Sequence, residues 1–174
     1  MNLRDLLGIQ HPIIQAPMAG GATTVELVSA ASAAGALGSL GAAYMTPAQI
    51  EAAAQAIRAR TPRPFAINLF ASVPEQPMRG DAARMLALMA RYHQQLGLDA
   101  PAAPEPQPDP LAEQIQAVLR ARPAVFSFTF GRMPAEALAR CRELGLRVDA
   151  TAATPREGST PGRLPAAPIR IERW

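Results

Sequence analysis

The sequence contains no lysine, one cysteine and two histidines, and aromatic residues make up only 5% of its 174 residues. Every basic side chain is therefore an arginine, which explains why a pI near 10.0 accompanies a net charge of only +3. Cys141, the single cysteine, excludes an internal disulfide and a cysteine-rich metal site, and we expect no metal. We interpret Cys141 as a small apolar residue on a helix.

Long apolar runs are also missing. No run approaches the roughly 18 residues of a membrane span, and the segment around Arg4 and Asp5 lacks a signal-peptide core. We therefore expect a cytoplasmic protein with no membrane partner. Arginines are scattered among acids without interleaved aromatics, so nucleic acid is not an expected partner either. Because 49% of the residues are apolar and 18% charged, most of the chain should form a globular domain.

Helical patterns alternate with short apolar runs along the chain. A capping box with Thr23 as N-cap and Glu26 opens one predicted helix, and Thr46 with Pro47 at N1 opens another. A methionine-rich face predicts a third, core-facing helix from Asp81 to Gly97. Further helices are predicted over 111–121 and 134–145. The predicted strands are Pro12–Ile14, Ala36–Gly41, Pro64–Phe70, Ala124–Gly131 and a last one beginning in Leu146–Ala152.

Apolar strands separated by helices indicate parallel βαβ units, hence an α/β fold. An open doubly wound sheet and a barrel both satisfy this pattern. No G-x-G-x-x-G or G-K-[ST] motif follows a strand, which favours the barrel. A complete barrel takes about 250 residues. We therefore expect a partial (truncated) TIM-type (β/α)8 barrel of about five parallel strands with flanking helices.

Two places in the predicted sheet carry chemistry. In "HPIIQAPMAGG" (His11 to Gly21), Pro17 has no N–H for a ladder, so the first strand must end there. Its small residues suit either an ordinary turn or a strand end that faces a ligand. Asn68 places a polar amide inside the apolar run "PFAINLF" and needs a partner, either a neighbouring loop or a ligand.

These two motifs, followed by "AVFSFTFG" (Ala124 to Gly131), resemble the N-terminal half of a nitronate monooxygenase over Met1 to Val148. The resemblance implies an FMN-dependent (β/α)8 barrel. It also implies oxidation of a small nitronate or nitroalkane to a carbonyl compound and nitrite. A related FMN-dependent enoyl-acyl-carrier-protein reductase begins with a similar strand and remains an alternative.

The resemblance also implies which residues contact the cofactor. Ala16, Pro17 and Met18 would lie against the flavin ring, and Asn68 would hydrogen-bond it. The family's catalytic histidine lies in a G-G-H stretch, which this sequence lacks. Neither His11 nor His93 matches it, so no catalytic residue is assigned. The glycine-rich loops that hold the FMN phosphate are also absent from this sequence.

The last 26 residues, 149–174, lose all periodicity, whereas 1–148 form the predicted flavin-binding barrel segment. We interpret 149–174 as an irregular tail, out-of-frame or disordered; a genuine flexible extension is the alternative. Two functional classes follow. One is an enzyme of the nitronate monooxygenase type, inactive as this truncated chain. The other is a non-catalytic half-barrel. In either case we expect self-association through open strand edges.

Overall fold

A computed structural model describes residues 2–71, 82–103 and 108–151. The chain divides into two compact units, Met1–Val73 with Pro110–Trp174, and Pro74–Asp109. The predicted tail lies outside the described residues from position 152 onward. None of the helices in the described ranges has the length and apolarity to span a bilayer.

The first unit alternates helices and strands as the sequence predicts. Its helices are α1 (Leu3–Leu7), α2 (Val25–Ala33), α3 (Pro47–Arg60), α5 (Leu111–Ala121) and α6 (Ala135–Glu143), and its strands are β1 (Gly38–Gly41), β2 (Phe65–Ala71), β3 (Val125–Phe130) and β4 (Arg147–Ala150). The second unit contains α4 (Ala82–Leu96). The predicted α5 is confirmed at both ends. The Thr46–Gln49 capping box of α3 is also confirmed, with both of its reciprocal hydrogen bonds.

The four strands form one parallel sheet in the order β1-β2-β3-β4. Sequential parallel neighbours joined by helices are the repeating unit of a βα barrel, and the predicted α/β class is confirmed. Alternate residues of each strand face opposite sides of the sheet. One side, including Ile67 and Phe126, packs into the main core with α2, α3, α5 and α6.

The other side of the sheet is the inward face, the side that lines the interior of a barrel. Near the amino ends of the strands it is apolar: Leu37, Ala66 and Val125 form a second cluster with Leu7 and Ile9. Helix α1, which the sequence pattern did not predict, supplies Leu7 and so covers this end of the face. The inward face is therefore closed by apolar side chains at its amino end, and its polar residues lie toward the carboxyl end.

The predicted first strand, Pro12–Ile14, is reduced to a single parallel bridge between Ile14 and Leu37. The Leu37 N–H donates to the carbonyl of Ile13, and the Gln15 N–H donates to the carbonyl of Leu37. The backbone then leaves the ladder before Pro17. Counting this bridge, the described residues contain the expected five extended segments, but only four of these are strands.

The predicted capping residue of α2 is wrong by one position. The N-cap is Thr24, whose side chain accepts from the Leu27 N–H at 3.2 Å. Thr23 is buried and bonds to other loops instead. Glu26 pairs with Arg60 at 2.6 Å, and backbone hydrogen bonding, followed by the Arg60 charge, lowers the pKa of that carboxyl. Two adjacent threonines made the capping motif ambiguous in sequence.

The predicted core face of α4 is also wrong. Its large apolar side chains are between 41% and 72% exposed: Met85, Leu88, Met89, Tyr92 and Leu96. The helix is amphipathic as predicted. The spacing of apolar residues indicates that one helix face is apolar, but it does not indicate whether another helix or a sheet packs on that face. Among the described residues of its unit, α4 is the one regular element.

Cys141 provides a test of the main core. It is fully buried on α6, and desolvation raises the pKa of its thiol to about 11. The folded chain therefore favours the protonated thiol. As the pH rises from about 9 toward 11, the thiol of the unfolded chain loses its proton first, and the free energy of unfolding falls. At pH 8 we expect a thiol reagent to modify the native chain at least about 100-fold more slowly than the chain in urea, because reaction requires unfolding. Equal rates would contradict this packing.

Candidate functional site

A row of residues crosses the inward face near the carboxyl end of the sheet. Gly41 is paired with Asn68, Asn68 with Ser127, and Ser127 with Asp149. Paired residues of parallel strands point to the same side, so the three side chains share this face at one level. Thr129 follows Ser127 by two residues on β3, so its side chain points to the same side of the sheet. Polar groups from three consecutive strands are thereby brought together.

Asn68 is the most buried of the three polar side chains in the row, at 6% exposure. Its Nδ2 group donates to Ser127 Oγ at 3.0 Å and lies 3.5 Å from Thr129 Oγ1. Within the described part of the chain, its Oδ1 atom has no hydrogen-bond partner. A buried amide oxygen without a donor is costly, so this atom marks a place where a ligand N–H or O–H would be bound favourably.

Asp149 ends the row on β4 and is half-buried. Burial raises the pKa of its carboxyl, and a hydrogen bond from the Ala150 N–H opposes this increase. A carboxyl with a raised pKa on a polar face is typical of functional sites, although structural groups show the same behaviour. Asp149 therefore extends the polar row to the outermost described strand.

The loop after the first bridge approaches the row at Gly41. A Cβ atom on Gly41 would lie 2.5 Å from the carbonyl carbon of Met18, so only glycine allows the two backbones to meet. The Thr23 hydroxyl fixes this contact: it donates to the Met18 carbonyl at 3.0 Å and accepts from the Gly41 N–H at 2.9 Å. The segment that contains Met18 is thereby held at the carboxyl end of β1.

Gln15 explains how the chain leaves the sheet before this contact. Its side-chain Oε1 accepts from the Ser39 N–H at 3.0 Å, and its Nε2 donates to the Ser39 carbonyl at 3.2 Å. The side-chain amide thus takes the place of a peptide group in the ladder, after the backbone has turned away. The edge of β1 remains hydrogen-bonded while residues 16–19 cross its end.

The residues predicted from the sequence occupy two neighbouring places. Ala16 is exposed, Pro17 is half-buried and the Met18 side chain is 43% exposed. Met18 contacts Gly41, which is the β1 partner of Asn68, so the structure brings the predicted loop and the predicted amide together.

Neither histidine belongs to the strands that carry the polar row. His11 is exposed before the first bridge. The His93 Nδ1 atom on α4 lies 2.5 Å from the Asp99 carbonyl, a contact within the second unit. These positions agree with their interpretation as structural or solvated residues.

A pocket of about 390 Å³ lies at the opposite, amino end of the strands, beside Arg58, Arg63 and Arg122. One of these charges, on Arg58, serves structural contacts. The Arg58 guanidinium donates to the carbonyls of Ala121 and Arg122 at the end of α5 and lies 5.4 Å from the centroid of the Phe65 ring. Amino-end residues of βα barrels generally serve stability, so we assign no ligand to this pocket.

Sequence reasoning missed Ser127, Thr129 and Asp149. A signal for the first two was present, because "VFSFTF" alternates large apolar with small polar residues, as expected for a strand with one polar side. Asp149 was assigned to the start of the irregular tail, whereas β4 continues to Ala150. Gln15 and Thr23 gave no signal, since their roles depend on contacts between distant residues.

The fold and the site together define a class of protein: a partial (β/α)8 barrel with a polar row at the carboxyl ends of its strands, where barrel enzymes carry their active sites. The family model for nitronate monooxygenase matches residues 1–159. The chain belongs to the nitronate monooxygenase family, and the resemblance noted in the sequence is confirmed.

Individual relatives agree with this assignment. The chain is 34% identical over 153 residues to a probable nitronate monooxygenase of Staphylococcus haemolyticus, covering 88% of this chain. It is 35% identical over 160 residues to a nitronate monooxygenase of Paraburkholderia phytofirmans, covering 90%. In both cases it spans 43% of the relative's length.

Two solved structures are similar to the chain. Nitroalkane oxidase from Streptomyces ansochromogenes is 33% identical, with a TM-score of 0.77 over 89% of this chain and 43% of that one. FabK from Thermotoga maritima is 24% identical, with a TM-score of 0.61 over 87% and 37%, a likeness of fold alone. The matched part is less than half of each of these structures, as expected for a partial barrel.

The Thr23 hydroxyl gives a direct test of the loop position. Replacing Thr23 by valine keeps the shape but leaves the Met18 carbonyl and the Gly41 N–H without partners. We expect Thr23→Val to lower the free energy of unfolding in urea by about 1–3 kcal/mol. Thr23→Ser retains the hydroxyl and should lose less than half as much. Equal losses in the two variants would show that the hydroxyl does not hold the loop.

Proposed function

We propose that this chain forms one wall of the FMN site of an FMN-dependent nitronate monooxygenase. The observation that carries the proposal is the unsatisfied amide oxygen of Asn68, which lies beside the Met18 loop at the carboxyl end of the sheet. The chain's membership of the nitronate monooxygenase family gives this position its interpretation. The substrate would be a small alkyl nitronate or nitroalkane. Family membership supports the reaction class, and the arrangement of Asn68 and Met18 supports the cofactor.

The chemistry of Asn68 suits the edge of a flavin ring. That edge carries an N–H donor between two carbonyl acceptors, and Asn68 Oδ1 is a buried acceptor that lacks a donor. Because the Ser127 hydroxyl holds one end of the amide, the Asn68 side chain is oriented before a ligand binds. Pre-orientation of this kind lowers the entropy cost of binding.

The Met18 loop would supply the apolar side of the same wall. Ala16, Pro17 and Met18 carry no charge, and the side chain of Met18 retains accessible surface. Pro17 is rigid and donates no hydrogen bond, so the loop presents a surface suited to an aromatic ring face rather than to a polar group. Thr23 fixes the position of this surface relative to Gly41 and Asn68.

When bound, FMN would supply the electron-accepting chemistry by which a nitronate and oxygen give a carbonyl compound and nitrite. The residues of this chain would orient the ring and exclude water from one side of it. His11 precedes the first bridge and His93 lies on α4, so neither histidine is on a strand of the polar row, and we assign no general base to this chain. Removing a general base commonly costs about 10²- to 10⁴-fold in rate. We therefore propose that the chain alone is inactive.

The β4 strand supports a role for a second polypeptide. Among the described residues, β4 is paired with β3 alone, so one side of it is free to accept another strand. We propose that the remaining part of a family barrel, or a second copy of this chain, binds there. A barrel half would extend the parallel sheet, whereas a second copy would give the self-association that open strand edges favour.

The proposal is tested by measuring FMN affinity with fluorescence. The chain is co-expressed with the remaining part of the Paraburkholderia phytofirmans relative, and FMN is titrated into the purified complex. We expect Asn68→Ala to weaken FMN binding by about three- to tenfold, because one hydrogen bond to the ring is lost. The 174-residue chain by itself should release no measurable nitrite from propyl-2-nitronate.

Ser29→Ala is the matched control. Ser29 is buried and polar like Asn68, but its hydroxyl donates to the Val25 carbonyl within α2, away from the strand ends. It should leave FMN affinity unchanged. Equal FMN affinity in Asn68→Ala and the parent complex would refute the proposed role of Asn68. Robust nitrite release by the chain alone would refute its proposed inactivity.

A further inference from the structure

Three aromatic rings meet at the carboxyl end of the sheet. The centroids of Tyr44 and Phe70 are 5.7 Å apart and those of Phe70 and Phe130 are 5.0 Å apart, both in edge-to-face contact. Tyr44 follows β1, and the other two residues lie at the ends of β2 and β3. Tyr44 is 74% exposed and Phe130 54%. Core packing does not explain a cluster of contacting aromatic side chains that are this exposed, and exposed apolar clusters commonly mark binding sites.

The backbone of Phe130 explains how its ring reaches this cluster. In "VFSFTF" the alternation places Phe126 and Phe128 in the main core, and a regular strand would send Phe130 to the same side. Instead Phe130 has a φ of +70°, a conformation that bulky side chains rarely adopt. The ring consequently contacts Phe70, which follows Asn68 by two residues and lies on the inward face. Strained conformations of this kind cluster at binding sites.

The aromatic cluster borders the polar row directly. Phe70 is paired with Thr129, whose hydroxyl lies 3.5 Å from Asn68 Nδ2. The flavin edge proposed to bind Asn68 Oδ1 would therefore have polar partners on its inner side, and a substrate beside it would meet the aromatic rings toward the carboxyl ends of the strands. Since the rings meet edge to face, they form a corner rather than one flat surface. Such a corner suits a compact hydrocarbon group or a single aryl ring better than a three-ring cofactor.

We propose that Tyr44, Phe70 and Phe130 form a subsite for the hydrocarbon substituent of the substrate, which makes this chain selective for nitro compounds with an aryl or bulky alkyl group. The proposal rests on the proposed function for the identity of the substrate. The strained backbone of Phe130 holds its ring in the subsite instead of the core. Tyr44, at the outer side, sets the length of the substituent that fits.

The test measures binding of two neutral probes to the full 174-residue chain by saturation-transfer NMR, without flavin. Phenylnitromethane carries an aryl group, and nitroethane does not. We expect phenylnitromethane to bind the parent chain more tightly, and Tyr44→Leu and Phe130→Gly each to weaken it about fivefold. Phe130→Gly removes the ring and also relieves the positive φ, so this variant should fold with an unfolding temperature at least equal to that of the parent.

Ile13→Ala is the matched control, because Ile13 is also an exposed apolar side chain, at 58%, but lies beside Leu37 at the amino end of β1 in the same unit. It should change the affinity for phenylnitromethane by less than about twofold. Equal affinity for the two probes, or unchanged affinity in both Tyr44→Leu and Phe130→Gly, would overturn the subsite. Probe selectivity without any effect of Asn68→Ala on FMN would refute the cofactor proposal and leave the subsite standing. Equal affinity for the two probes, together with weaker FMN binding in Asn68→Ala, would refute only the subsite.

Discussion

The in-register pairing of parallel strands is the constraint on which the site depends. Because paired residues point to the same side of the sheet, Asn68, Ser127 and Asp149 must share one face once β2, β3 and β4 are in register. A slip of one residue would move Asn68 into the apolar core and place Ile67 or Leu69 on the inward face. The core therefore enforces the register: Ile67 and Leu69 are fully buried, and their burial fixes where Asn68 points.

A second level of organisation builds on this register. The first extended segment departs from the ladder at Gln15, whose side chain continues the hydrogen bonding to Ser39. The released backbone then reaches Gly41, where the absence of a side chain allows contact with Met18 and Thr23 fixes the distance. The loop and Asn68 are thus linked through Gly41. Pro17 costs no hydrogen bond of the sheet, because the backbone has already left the ladder before this residue.

Much of this architecture could be predicted from the sequence, because local signals agreed with the final fold. Thr46 with Pro47 defined the start of α3, and "PFAINLF" gave β2 with Asn68 as its one polar residue. Other features could not be predicted locally. The positive φ of Phe130 and the bonds of Thr23 arise from contacts between distant residues, and α4 shows that an apolar stripe does not by itself reveal what covers it. The resemblance identified the family, but only the register united Asn68 with Ser127 and Asp149.

The central claim is that the inward face around Asn68 binds the flavin ring, and the chain is suited to a direct measurement. It contains two asparagines, Asn2 and Asn68. Asn2 is exposed and caps helix α1 with its side chain, so it is an internal reference. In a chain labelled with ¹⁵N only at asparagine side chains, FMN is titrated while both amide resonances are followed. The account predicts a progressive, saturable shift of the Asn68 amide with the Asn2 amide unchanged; an Asn68 resonance that stays fixed, or moves only in step with Asn2, would contradict it.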